Sequence, residues 1–424
     1  MKTEPHDHTR GVEVELEIVR LGAQGDGVAE GAGAPVFVPY TLAGERVRAV
    51  IDDGRVRLVQ VVEAAPERVA AVCRHFGTCG GCAMQHMAPS AYAAWKRGLI
   101  VDALAQRGIS AEVKDAIIVG PASRRRAVLS AVATRGGAVL GFHAARGDTV
   151  VDVIECPMLE PRIVAALPGL RPLLARLPRW EGEARVSVVA VEGGLDVDVA
   201  GAVGKAGIGA QESVQIAKVA SDIGDLLRLG LDGTAVYQRA RPLLRMGAAA
   251  VEPPAGAFLQ ASSAAERAMA ELVCAALPKR ARTGADLFCG VGAFTFPLAE
   301  RVAVTAVDNG RQALDALAAA ARSTQGLKPI RTLNRDLFRE PLSRKELEGF
   351  DMVVFDPPRA GAASQAAMLA KSKVPVVVAV SCNPATMARD IRTLIDGGYT
   401  LGPVTPIDQF HWSAHVEAVA VLRR

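Results

Sequence analysis

The sequence predicts a three-part α/β protein: a Rossmann-like parallel sheet at the C-terminal end, an OB-like β-barrel at the N-terminal end, and an α+β region between them. Three observations predict it. From about residue 256, apolar strands alternate with helical segments, as in a parallel sheet with crossover helices. Five short β segments crowd into residues 11–65. The intervening stretch carries a cysteine cluster, one clear helix and paired strands. The boundaries fall at 1–66, 67–255 and 256–424.

MKTEPHDHTR (1–10) reads as a loose tail that resembles no secretory or mitochondrial signal. VEVELEIV (12–19) alternates as a strand does, GAQGDGVAE (22–30) is a turn, and VFVPYTL (36–42) is a short strand. RVRAVIDD (46–53) and RVRLVQVVE (55–63) meet at Asp53-Gly54, a hairpin signal. Arg20, Arg46, Arg48, Arg55 and Arg57 make this barrel either a solvated face or an RNA-binding one. SAYAAWKRGLIVDALAQRG (90–108) has helical spacing and stops at Gly108. AVLSAVA (127–133) is a strand, and VSVVAVEGGLDVDVA (186–200) is two strands joined at Gly193-Gly194. The C-terminal strands are expected at 285–288, 302–308, 331–336, 350–356, 374–381 and 416–422.

The 424 residues are 50% hydrophobic and 22% charged, which suits a globular enzyme and excludes a disordered or collagen-like chain. Lys+Arg outnumber Asp+Glu by 49 to 45, an excess that permits a nucleic-acid partner without demanding one. No apolar run approaches the ~20 residues needed to span a bilayer, so a cytoplasmic protein without membrane contact is expected. Seven cysteines without a signal favour metal or catalytic use over disulfides.

DLFCGVGAFTFPLAE (286–300) is a strand, a glycine turn and a helix start, bringing backbone close to a ligand. Asp308 ends the next strand, where a carboxylate can bind ribose hydroxyls; Asp336 ends the third and Asp356-Pro357-Pro358 the fourth. Ligands bind at these carboxyl ends. Thr295 replaces the third glycine of a dinucleotide fingerprint, which makes S-adenosylmethionine the better candidate. VSCNPATMARD (380–390) puts Cys382 at a strand end beside a helix start, where a thiol pKa is expected to fall. Glu417 opens the last apolar strand, and partial burial would suit it to proton abstraction. Cys274 and Cys289 read as packing residues.

CRHFGTCGGCAMQH (73–86) supplies Cys73, Cys79 and Cys82, spaced C-x5-C-x2-C, and Cys156-Pro157 offers a fourth thiol. Four thiolates can hold zinc or an iron–sulfur cluster; the three-plus-one spacing with a Cys-Pro end suits a [4Fe–4S] cluster better. His75 and His86 are expected to pack or to touch RNA.

DLFCGVGAF, FDPPRAG, VSCNPATMARD, HVEAV and FLQAS (258–262) together resemble the RNA (uracil-5)-methyltransferases that act on 23S ribosomal RNA and transfer RNA. Residues 11–65 look like that family's TRAM domain, and the cysteine spacing is similar to that of its ribosomal branch, which carries a [4Fe–4S] cluster. The resemblance implies a class I S-adenosylmethionine-dependent methyltransferase domain making 5-methyluridine in RNA, with 23S rRNA as the expected substrate and tRNA as the alternative. It implies that Cys382 attacks uracil C6, that Glu417 removes the C5 proton, and that Asp356 binds the uracil edge and borders the sulfonium. Gln260, Phe288, Gly290, Ala293, Asp308 and Asp336 are implied to hold the cofactor. The target base must leave its stack.

Ala293 and Ser262 stand where the family often has Asn, Asp308 where it often has Glu, and Ser413 where it often has Thr. Arg124–Arg126, Arg359, Lys96 and Arg97 are expected RNA contacts. An adenine amino-methyltransferase would need an aromatic residue where Arg359 stands, and a cytosine-5 enzyme would carry Pro before the cysteine, where Ser381 stands. A non-catalytic iron–sulfur RNA-binding protein would leave Cys382 and Glu417 unexplained. A monomer is expected.

Overall fold

A computed structural model describes residues 11–30, 33–135, 137–177, 182–201, 203 and 207–424; the expected N-terminal tail lies outside them. The barrel comprises β1 (Val12–Leu21), β2 (Gly27–Ala29), β3 (Val36–Val38), β4 (Arg46–Asp52) and β5 (Arg55–Glu63). Their order is β3-β2-β1-β4-β5, and the two edges touch, so the sheet curls on itself around Ile18, Val38 and Val47. Asp53 and Gly54 both take positive φ, 45° and 75°, as a two-residue hairpin requires. The arginines of β4 are not free for a polyanion. Arg46 pairs with Glu15 and Glu63, and Arg48 with Glu13, because the antiparallel registers set glutamates of β1 and β5 beside them.

Next come α1 (Pro89–Ala105) and β6 (Ile117–Ile118), then β7 (Arg126–Thr134), β8 (Gly137–His143), β9 (Val150–Asp152), α2 (Pro161–Ala175), β10 (Glu183–Val191), β11 (Gly194–Ala200), α3 (Ala210–Ser221), β12 (Leu226–Leu231) and β13 (Thr234–Gln238). Strands β7–β13 form one seven-stranded sheet, a larger unit than the three expected strands, with an apolar layer of α2 and α3 residues over it. A hairpin of β14 (Leu244–Met246) and β15 (Ala249–Val251) leads into the last region.

That region holds α4 (Ser263–Ala275), β16 (Thr283–Leu287), α5 (Thr295–Ala299), β17 (Ala303–Asp308), α6 (Arg311–Ser323), β18 (Ile330–Asn334), α7 (Arg344–Leu347), β19 (Met352–Phe355), α8 (Ala363–Ala370), β20 (Val376–Ser381), α9 (Pro384–Asp396), β21 (Thr400–Asp408) and β22 (Glu417–Arg423). The sheet order is β18-β17-β16-β19-β20-β22-β21-β6, parallel from β18 to β20. β22 runs antiparallel to β20 and β21. All expected strands are present within a few residues; β21 and β6 were not anticipated, because Gly402, Pro403 and Pro406 mask β21. Strand order reverses between β16 and β19, which opens a crevice at their carboxyl ends.

Residues 89–118 pack with this sheet, although the sequence groups them with the central region. Ile100, Leu104, Ile109 and Val113 enter its core, and β6 pairs with β21. The reason is the buried face of α1. Lys96, expected to face RNA, has no exposed surface and meets Asp408 at 2.8 Å. Arg97 donates to the Val113 carbonyl at 2.8 Å.

Removing Lys96 while leaving Asp408 buried should destabilise the fold. Lys96→Met is expected to cost about 3–5 kcal/mol, read as a lowered urea midpoint with an unchanged slope.

Candidate active site

The turn after β16 is shaped for a ligand. Phe288 takes φ 62°, a costly conformation for a non-glycine residue, and its ring meets Phe338 at 5.4 Å. Gly290 takes φ 52°, and a Cβ there would meet nothing within 4 Å, so the backbone faces open space. At Gly292 (φ 105°) a Cβ would strike the Phe296 ring at 2.7 Å. Asp308 accepts from the Gly290 and Gly310 amides at 3.0 and 2.7 Å, which locks its carboxylate beside the turn. Thr295 donates to the fully buried Asp286 at 2.6 Å; burial pushes Asp286 up to about 7.

Asp336 lies two residues beyond β18 and accepts from the Phe338 amide at 3.0 Å, holding that ring against Phe288. Ala293 borders a cavity with Met246, Ala270 and Pro297; Phe288, Gly290 and Asp308 do not border it.

At the other side of the crevice, β19, β20 and β22 deliver three groups to one edge. Asp356 follows β19, Cys382 follows β20, and Glu417 opens the antiparallel β22. A continuous buried string links the carboxyls. Gln260 donates to Asp356 at 2.8 Å, Gln409 donates to the Gln260 side-chain oxygen at 2.8 Å, and Gln409 donates to Glu417 Oε2 at 2.6 Å. Glu417 Oε1 is buried without a hydrogen-bond partner among the described residues. Burial raises Asp356 to about 7 and lifts Glu417 well above the carboxylate range, the Asp356 charge adding to the second shift. Gln409 was missed from sequence. Its one signal is an amide at a strand end, eight residues before Glu417.

Cys382 corrects an expectation. Asn383 does cap α9 by accepting from the Ala385 amide at 3.1 Å. The thiol nonetheless rises to about 11, through burial first and then the Glu417 and Asp356 charges; Arg359 opposes this only in part. Arg359 is itself hydrogen-bonded to His415 at 2.8 Å. Burial and three nearby cations push His415 down to about 4, so it accepts this bond as a neutral ring.

The arginine run divides. Arg125, expected to touch RNA, is buried against Glu266 at 2.5 Å and donates to the Gln260 carbonyl at 3.1 Å. Arg124 is largely enclosed, and Arg126 lies 5.4 Å from the exposed Phe258 ring.

Cys73, Cys79, Cys82 and Cys156 are all free thiols in one neighbourhood, where burial and mutual repulsion of their charges raise Cys79, Cys82 (to about 12) and Cys156. Among the described residues, no three His, Cys, Asp or Glu side chains stand close enough to hold a metal ion. His86 packs against Tyr40 and Phe76, and His75 accepts from the Ile154 amide at 3.4 Å. Cys274 and Cys289 are buried. No described helix is long and apolar enough to cross a membrane.

Residues 249–424 match the family model described as tRNA (uracil-5-)-methyltransferase. A Brucella suis protein named an uncharacterized RNA methyltransferase is 47% identical over 97% of this chain and 98% of its own. A 23S rRNA (uracil(1939)-C5)-methyltransferase of Alkalilimnicola ehrlichii is 32% identical over 97% and 96%. The crystal structure of a Pyrococcus abyssi tRNA (uracil-54, C5)-methyltransferase with S-adenosyl-L-homocysteine superposes with a TM-score of 0.73 at 24% identity, covering 96% of this chain and 99% of that one, a likeness of fold.

A thiol at about 11 is almost wholly protonated at pH 8. Cys382 should therefore react with iodoacetamide roughly a hundredfold more slowly than an ordinary exposed cysteine, measured peptide by peptide by mass spectrometry.

Proposed function

The chain belongs to the RNA (uracil-5)-methyltransferase family, an enzyme family, and from that premise we propose that it methylates C5 of a uridine in 23S rRNA. The observation that carries the reading is the meeting of Cys382, Glu417 and Asp356 at one edge of the sheet, with Glu417 Oε1 left unpartnered.

C5 of uracil is a weak nucleophile. Addition of the Cys382 sulfur to C6 turns C5 into an enolate carbon, which takes the methyl group of S-adenosylmethionine and leaves S-adenosylhomocysteine. Glu417 Oε1 then accepts the C5 proton, the C5–C6 double bond re-forms, and the Cys382 thiolate departs. Asp356 binds the uracil edge. The open turn at Gly290, the fixed Asp308 carboxylate and the strained Phe288 fit an adenosyl group, with Gln260 and Asp336 completing its walls. Ala293, three residues after Gly290, borders the neighbouring cavity beside Met246 and Pro297.

The choice of 23S rRNA rests on the Alkalilimnicola relative and on the four thiols. We assign to those thiols a [4Fe–4S] cluster of structural role: four free thiols gathered in one neighbourhood are the donor type that such a cluster takes. Anaerobic purification should yield iron and sulfide, lost in Cys82→Ala. In the proposed division of labour, the barrel and central sheet choose the RNA and the last region performs the chemistry, with residues 89–118 assigned to the latter. A cytoplasmic monomer completes the reading.

Anaerobic protein given labelled S-adenosylmethionine and separate unmodified rRNA and tRNA is expected to form 5-methyluridine in 23S rRNA alone, and none with Cys382→Ala. Label in tRNA alone would overturn the substrate. Because Cys382 and Glu417 must both shed protons held above their ordinary values, turnover should climb steadily with pH between 6 and 9.

A further inference from the structure

We infer that Gln409 is the positioning residue for the proton-abstracting carboxylate: its amide fixes Glu417 in one orientation and, through Gln260, ties it to Asp356. The inference rests on the uracil-C5 reading above and adds a residue to it.

The amide has only one way round. Its oxygen accepts from the Ala261 backbone N–H at 3.1 Å, so its nitrogen must face the other way. Both nitrogen-bound hydrogens are then committed, one to Gln260 at 2.8 Å and one to Glu417 Oε2 at 2.6 Å. Gln260, having accepted through its oxygen, can only donate through its nitrogen, which it does to Asp356. Direction is thus set from Ala261 outwards, and each end of the string presents a donor to a carboxyl. A donor stabilises the ionised form. Gln409 is 4% exposed and Gln260 6%, so these bonds lie in a low-dielectric interior, where each is stronger than in water. With Oε2 held, Oε1 is the one free acceptor of Glu417, and the proton it takes arrives there.

Few other groups can set the charge state of Glu417. Asp356 and the Cys382 thiol face it across the crevice, and both disfavour its ionisation when charged. Asp408 on neighbouring β21 is paired with Lys96, and Glu266 on α4 is paired with Arg125. Arg359 and His415 engage one another at the rim. Gln409 is the neutral group that opposes burial directly at the carboxyl.

Gln409→Met keeps the volume and removes both donors. The acidic limb of the pH–rate profile, along which Glu417 loses its proton, should move to higher pH by about one unit, a tenfold loss at pH 7 that is largely recovered by pH 9, with KM for S-adenosylmethionine within twofold of the parent. Proton removal becomes slower than methyl transfer, so a denaturation-resistant protein–RNA adduct through Cys382 should accumulate several-fold on a gel. In a Glu417→Gln background the same substitution should change nothing further. Gln409→Glu, closer in shape, should move the limb the same way and covers the case in which the Met variant does not fold. An unmoved limb with no added adduct in the folded variant, or an equal further loss in the Glu417→Gln background, would overturn the inference. Failure of the parent protein to form 5-methyluridine in any RNA would instead overturn the functional reading on which it stands.

Discussion

The site depends on one buried carboxylate. Asp408 ends β21 with no exposed surface, and three side chains converge on it: Lys96 at 2.8 Å, Tyr92 at 2.9 Å and His411 at 2.8 Å. Lys96 also donates to the His415 carbonyl, and the Tyr92 hydroxyl accepts from the Trp412 amide at 2.8 Å. These bonds pin both ends and the middle of the segment 408–417, which carries Gln409 at its start and Glu417 at its close. A buried charge of this kind is tolerated only when its partners are fixed, so the geometry of the segment is as rigid as the ion pair beneath it. Trp412, at φ 58°, is held in a conformation that the segment alone would not keep.

The same segment connects regions far apart in sequence. The Trp412 carbonyl accepts from the Ala83 and Met84 amides at 2.7 and 3.0 Å, immediately after Cys82. The thiol cluster, α1 and the proposed base therefore share one hydrogen-bonded body. Whatever orders the loop 73–84 also orders the donors that hold Trp412. This placement explains too why α1 joined the C-terminal sheet. Its buried lysine has a partner only there.

Much of this was legible in the sequence. Parallel strands, the Gly290 turn, Cys382 at a strand end and Glu417 opening β22 all follow from local patterns, because apolar runs and glycine turns act over a few residues. What was illegible depended on contacts between distant segments. A lysine on an amphipathic helix looks solvated until Asp408 arrives from 312 positions away. Arg125 looked like an RNA contact until Glu266 covered it, and the β4 arginines looked like a basic face until β1 set glutamates beside them. The thiol expectation failed for a related reason. A helix start lowers a thiol pKa by a local dipole effect, but burial and two carboxyls act more strongly at Cys382.

That reversal bears on how the proposed chemistry is controlled. With the Cys382 thiol raised to about 11 and Glu417 held above the carboxylate range, the free protein carries a weak nucleophile and a base whose ionisation is disfavoured. Such a site is protected against stray alkylation and oxidation, since the thiolate is the reactive form. In the proposed reaction, activation then comes with the bound RNA. A uracil edge bound to Asp356 would neutralise or redirect one of the two carboxyl charges that raise the thiol, leaving Arg359 as the nearer influence. Covalent attack would begin only once the base occupies the crevice, and selectivity for a flipped nucleotide would be built into the proton inventory of the site as well as into its shape.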